Sequence, residues 1–177
     1  TLHRRWSEHE RLIAIHGLGG VGKSTLASRF LERRTHEGVR VVILPPGAET
    51  ALVENMATQM AVTPPPNIDA RDREDELTKL LARELSRERT VVLLDNFEDH
   101  QDEDTGFIED AVLDDAIAAL AARVTNNVSF FFTTRVALKL HGGTRTVTNL
   151  DLGELSRAEA RKLKLTLPGL RGLEPAA

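Results

Sequence analysis

The 177-residue chain contains no cysteine. That excludes disulfides, a thiolate metal site and a cysteine nucleophile, and it fits a reducing compartment, so a cytoplasmic location is expected. No apolar run approaches the roughly 20 residues needed to span a bilayer, so no membrane partner is expected. The N-terminal stretch "TLHRRWSEHE" carries basic residues but no apolar segment after them, which is not a secretory signal. There is no initiator Met: the chain opens at Thr1 and reads as a piece of something longer. Nor is there an excess of positive charge. A net charge of −4 and a pI near 5.9 give no general attraction to nucleic acid or anionic membrane. What remains is ordinary for a soluble globular protein, with 41% hydrophobic and 28% charged residues. The length suffices for one domain with a core.

Short apolar runs alternate with helical patterns. "LIAI" (12–15), "VRVVIL" (39–44), "VVLL" (91–94), "SFFF" (129–132) and "RTVTNL" (145–150) read as strands. The middle three are apolar at nearly every position, the pattern of strands covered by helices on both faces. A helix is expected from about Ser24 to Glu37, with Gly38 as its C-cap. "ETALVENMATQM" reads as a second helix ending before "PPP" at 64–66. In "EDELTKLLARELSRER", Leu77, Leu80, Leu81 and Leu85 fall on one helical face. "DDAIAALAARV" is another amphipathic run, and "LSRAEARKLKL" opens with Ser156 and Glu159 at capping-box spacing. The alternation predicts a three-layer α/β fold, with a central parallel sheet of about five strands and right-handed crossovers. No internal repeat is present. The main domain is placed at 1–155, and 156–177 is expected to form a C-terminal helix and an exit segment.

Two compositional features have bland explanations. Between Asp95 and Asp115 lie ten acidic residues and no Lys or Arg. This reads as a solvated, mobile loop leading into a helix. A cation-binding or partner-docking role is the alternative, although no EF-hand spacing favours calcium. The six histidines, at 3, 9, 16, 36, 100 and 141, have no ligand spacing, and no metal site is expected from them.

"GLGGVGKST", residues 17–25, follows the first strand and opens the first helix. Gly17, Gly22, Lys23 and Ser24 match G-x-x-x-x-G-K-[ST]. Glycines let the backbone curl until successive N–H groups face phosphate oxygens. The helix start adds its positive end. Lys23 supplies a full charge for the β- and γ-phosphates, and the Ser24 hydroxyl is a hard oxygen ligand for Mg²⁺. The expected cradle comprises Gly17, Gly19, Gly20, Val21, Gly22, Lys23, Ser24 and Thr25. The competing explanation is a glycine-rich turn that binds nothing. By chance the pattern arises in well under about 1% of chains this size.

"VVLLDNFED" is an apolar strand ending in Asp95, which looks like a Walker B carboxylate holding Mg²⁺; a strand-end turn aspartate is the competing explanation. Open parallel sheets bind ligands beyond the carboxyl ends of their strands. The glycine loop, Asp95 and "TTR" at 133–135 all fall at such ends. Arg135 is the candidate to sense the γ-phosphate, since its planar fork suits phosphate oxygens. A guanine-reading N-K-x-D is absent, the nearest string being "TNLD" at 148–151. ATP or ADP is therefore preferred over GTP.

Taken together, "GLGGVGKSTLA", "VVLLDNFED", "FFFTTR" and "LDLGELSRAEARKL" resemble the nucleotide-binding domain of STAND-class (NB-ARC-like) P-loop ATPases, from about residue 12 to 167. The class includes plant immune receptors, apoptotic scaffold ATPases and bacterial signalling or defence proteins, and "DNFED" is most similar to the bacterial members. The resemblance implies a switch that rests with ADP. Exchange for ATP then opens it, drives self-association and activates an attached effector. It implies partners within a parent protein: a winged helix, repeats and an effector. It also implies roles for Lys23 and Ser24 at phosphate and Mg²⁺, Asp95 at Mg²⁺ and Arg135 at the γ-phosphate.

The sequence departs from the family in three places. Many relatives carry a second acid after the Walker B aspartate to orient water, and here that residue is Asn96. Glu98 or Asp99 is the available substitute, and slow or absent hydrolysis is expected. The "GRE"-like segment that helps hold adenine is missing, and Trp6 is assigned to packing rather than base stacking. No effector or repeat array follows "GLEPAA", so the chain reads as one module. Two other classes compete. A small-molecule or nucleotide kinase would need an arginine-rich lid, and "VALKLHGGTRT" after Arg135 is too short for one. A DNA-associated or clamp-loader-like AAA ATPase would favour a basic channel, which the acidic 95–115 stretch opposes, so direct nucleic-acid contact is not expected.

Overall fold

The computed structural model describes residues 10–153 except 46, 70–71 and 143–145. Five strands form one sheet: β1 (Leu12–His16), β2 (Arg40–Leu44), β3 (Thr90–Leu94), β4 (Val128–Thr134) and β5 (Thr148–Asp151). All neighbours are parallel, in the order β2-β3-β4-β1-β5. The helices are α1 (Lys23–His36), α2 (Leu52–Gln59), α3 (Arg73–Leu85) and α4 (Ala111–Arg123). Short 3-10 turns at Ala48–Ala51 and Phe97–His100 follow β2 and β3.

Period-two alternation assigns the strand side chains to two faces. Ile13, Ile15, Val91, Leu93 and Phe131 meet Ala27, Phe30 and Leu31 of α1 on one side. Leu12, Ala14, Val42, Leu44, Val92, Leu94, Phe130 and Phe132 meet α2, α3 and α4 on the other. The consecutive phenylalanines of β4 therefore serve both layers. Phe131 stacks on Phe30 at 5.0 Å between ring centroids, and Phe132 meets Phe97 edge-on at 5.1 Å. This is the expected three-layer α/β arrangement.

α1 ends where Gly38 takes φ +76°, which lets the Gly38 amide donate to the Thr35 carbonyl and the Val39 amide to the Arg34 carbonyl, each at 3.0 Å. Leu77, Leu81 and Leu85 of α3 are buried, with Leu80 at the margin. The helix expected over 49–60 is instead split. Ala51, the last residue of the 3-10 turn, takes φ −138° and ψ 59° and breaks the helical run before α2.

Two expectations are corrected. The apolar run "VRVVIL" predicts a strand buried on both faces, but β2 is an edge strand and Ile43 is 52% exposed. An apolar run reports hydrophobicity, not place in the strand order. The acidic stretch is a folded connection rather than a free loop. Asp102 accepts from the Thr105 amide and hydroxyl, each at 2.6 Å, and Gln101 bridges to Ile108. Asp110 caps α4 through the Val112 and Leu113 amides, and buried Asp114 accepts from the His141 amide at 3.1 Å. These acids bind backbone donors, which supplants the solvation that charge content implies. The helix expected over "LSRAEARKLKL" with Ser156 and Glu159, the exit segment, Trp6, His3 and His9 lie outside the described residues.

Candidate functional site

The site is assembled at the carboxyl ends of β1, β3 and β4. β4 lies between β1 and β3 in the sheet, so Thr133, near its end, sits between the glycine loop and Asp95. Register fixes this: Ile15 is opposite Thr133, and Leu94 is opposite Phe132.

The glycine loop uses its conformational freedom unevenly. Gly20 and Gly22 sit at φ +77° and +100°, with open space where a Cβ would stand. Gly22 precedes α1, its carbonyl accepts the first helical bond from the Leu26 amide at 2.9 Å, and no side chain caps the helix. The first turn is thus left for an anion to satisfy. Gly19 has neither a positive φ nor a close neighbour. Gly17 is governed by packing: at φ +149°, an added Cβ would stand 2.5 Å from the Leu152 carbonyl oxygen. Val21 borders Gly17, and Thr25 is exposed on the first helical turn.

Lys23 is buried, and its ammonium donates back to the carbonyls of Gly17 at 2.8 Å and Leu18 at 3.1 Å. Those bonds hold the loop curled around the cation. The Ser24 hydroxyl donates to Asp95 Oδ1 at 2.9 Å, and the Thr133 hydroxyl donates to the same oxygen. Thr133 in turn accepts from the Asn96 amide at 2.9 Å, so one hydroxyl fixes both Asp95 and the turn after it. Thr133 lies in the "TTR" string, but sequence gives it no role. The available signal was a hydroxyl at the buried carboxyl end of a strand.

Arg135 and Glu98 lie beside this cluster rather than in it. Arg135 Nε is 3.4 Å from Glu98 Oε1, and Nη1 is 3.8 Å from Glu103 Oε1. Glu98 Oε2 is buried without a hydrogen-bond partner. Asn96 is exposed at φ +57°, and Asp99 is exposed too.

The residues suit a magnesium nucleotide. Mg²⁺ takes one or two hard protein oxygens and completes its shell with water and phosphate. The Ser24 hydroxyl and Asp95 carboxylate, already in contact, are such a pair. Among the described residues no group of three or more His, Asp or Glu is arranged to hold a metal. None of their helices is long and apolar enough to cross a membrane.

A parallel sheet with a glycine loop, buried lysine and strand-end aspartate at one edge defines a P-loop ATPase nucleotide-binding domain. More particularly, the chain belongs to the AAA domain family, which matches residues 4–140. A chain of Drosophila ORC bound to AT-rich DNA and Cdc6 is similar with a TM-score of 0.53 at 13% identity, over 94% of this chain and 60% of that one. The genome packaging NTPase B204 from Sulfolobus turreted icosahedral virus 2, in complex with AMP, gives 0.42 at 14% identity, over 75% and 68%. At 13% identity the likeness to the ORC chain is one of fold. No curated protein matches.

Proposed function

We propose that this chain is the ATP/ADP-binding switch domain of a multidomain STAND-type signalling ATPase, in which nucleotide exchange controls self-association and effector activation. In this reading residues 1–155 are the nucleotide domain and 156–177 lead to the next one. Lys23 and the amides from Gly19 to Thr25 hold phosphate, Ser24 and Asp95 hold Mg²⁺, and Arg135 reads the γ-phosphate. Hydrolysis is slow. The observation that carries this last point is the surroundings of Asp95. Asn96 follows it directly, where a water-orienting acid would stand, and cannot accept a proton.

A DNA-associated AAA ATPase is the competing reading, since the ORC neighbour is bound to DNA. The acids on the connection after β3 oppose it by placing like charge beside the nucleotide edge.

Calorimetric titration with Mg²⁺ and ADP, ATP or GTP, alongside Lys23→Ala, tests the proposal. Adenine nucleotide should bind at micromolar or tighter Kd, and the variant should lose it. A single-turnover burst of hydrolysis that Lys23→Ala abolishes would refute the slow-hydrolysis assignment.

A further inference from the structure

We infer that Glu98 and Glu103 set the preference of this site between ATP and ADP by holding Arg135 until a γ-phosphate displaces them. The inference rests on the nucleotide-site reading above and adds the regulation of that site. Arg135 has two claimants. Its guanidinium lies between two carboxylates of the connection after β3, at 3.4 and 3.8 Å. Glu98 is 17% exposed and Glu103 is 73% exposed. A pair of carboxylates offers a guanidinium the same forked oxygens as a terminal phosphate.

The connection is hydrogen-bonded to the segment that carries the arginine. Gln101 donates to the carbonyls of Gly106 at 2.8 Å and Ala137 at 3.1 Å, and the Thr134 hydroxyl donates to its Oε1. The Lys139 amide donates to the Gly106 carbonyl at 2.9 Å, and its ammonium to the Thr105 carbonyl at 2.7 Å. The acidic connection and the segment carrying Arg135 are therefore tied on both sides of the ion pairs.

The consequence is selective. ADP lacks the group that Arg135 would meet, so it binds with the pairs intact. ATP must break them, and Glu98, whose Oε2 is already buried without a partner, then loses its counter-charge. That cost falls on ATP alone.

The test measures ATP and ADP affinities of the chain with Glu98→Gln, Glu103→Gln and both. Each is repeated with Arg135→Ala, and Asp104→Asn serves as a charge-matched control on the same turn. The double glutamine variant should bind ATP about two- to tenfold more tightly, with ADP unchanged. The gain should vanish when Arg135 is alanine. Equal gains for ATP and ADP would show general charge relief and overturn the latch. So would a gain that persists without Arg135, or one that Asp104→Asn reproduces. If the unmodified chain binds neither nucleotide, the site reading itself fails and the latch with it. ADP binding with an unchanged ATP-to-ADP ratio overturns the latch alone.

Discussion

Gly17→Ala tests whether the first glycine of the phosphate loop serves the ligand or the fold. Its φ of +149° is outside the range that side-chain-bearing residues adopt, and such backbone costs about 1–3 kcal/mol. The added methyl would also stand 2.5 Å from the Leu152 carbonyl oxygen and 3.3 Å from its carbon. That neighbour is backbone and cannot rotate away. The Leu152 amide also donates to the His16 carbonyl at 2.7 Å, so moving the segment strains a sheet-edge bond. Overpacking of this kind costs about 1–3 kcal/mol. Together these give a loss of about 2–6 kcal/mol from a domain whose whole stability is about 5–15 kcal/mol. At about 2–4 °C per kcal/mol for this size, the melting temperature should fall by about 4–24 °C. Calorimetric unfolding without nucleotide is the assay. Gly19→Ala is the control, with no positive φ and nothing within 4 Å, and should stay within about 0.5 kcal/mol of the parent. A Gly17→Ala protein that melts with the parent but fails to bind nucleotide would refute the reasoning and return Gly17 to the phosphate.

Gly106→Ala should destabilise by about 2–4 kcal/mol, because its Cβ would stand 2.2 Å from the Ala137 carbonyl at φ +80°; urea unfolding reads the shift in midpoint. Asp110→Ala removes the cap of α4 and should cost about 0.5–2 kcal/mol in the same experiment. Hydrogen bonds from Thr105 hold the Asp102 carboxyl below its ordinary value of 3.8, so its stabilising share is present above that value and is lost as pH falls through the folded one. Thr105→Val should move the Asp102 titration upward, followed by NMR of the carboxyl carbon.

The legible parts of the fold were those that depend on local hydrophobicity. Apolar runs marked five strands, and spacing marked the phosphate loop and Asp95. Strand order was not legible: nothing in "VRVVIL" distinguishes an edge from a centre, because Ile43 is as apolar as Leu93. The acidic stretch misled because charge suggests solvent, whereas Asp102, Asp110 and Asp114 each satisfy backbone amides. At the site, Lys23 and Ser24 stood out by motif spacing and Asp95 as the acid ending an apolar strand, and the fold brings Ser24 and Asp95 into contact. Thr133 and Glu103 were not, since their importance comes from which strand lies between β1 and β3, and from how the connection after β3 folds back toward Arg135.

The strand order has a consequence for how the chain emerges from the ribosome. β1 is made first, yet its two sheet neighbours are made last: Leu12 faces Phe130, and Ile13 faces Thr148. Meanwhile β2 and β3 can pair with each other as soon as both have left the tunnel. Long-range parallel pairings of this kind form late and slowly. The curl that would hold phosphate therefore waits for almost the entire domain, and a nascent fragment ending before β4 presents "GLGGVGKST" without the sheet that shapes it. Nucleotide is therefore expected to find its site only once β4 has joined β1 and β3.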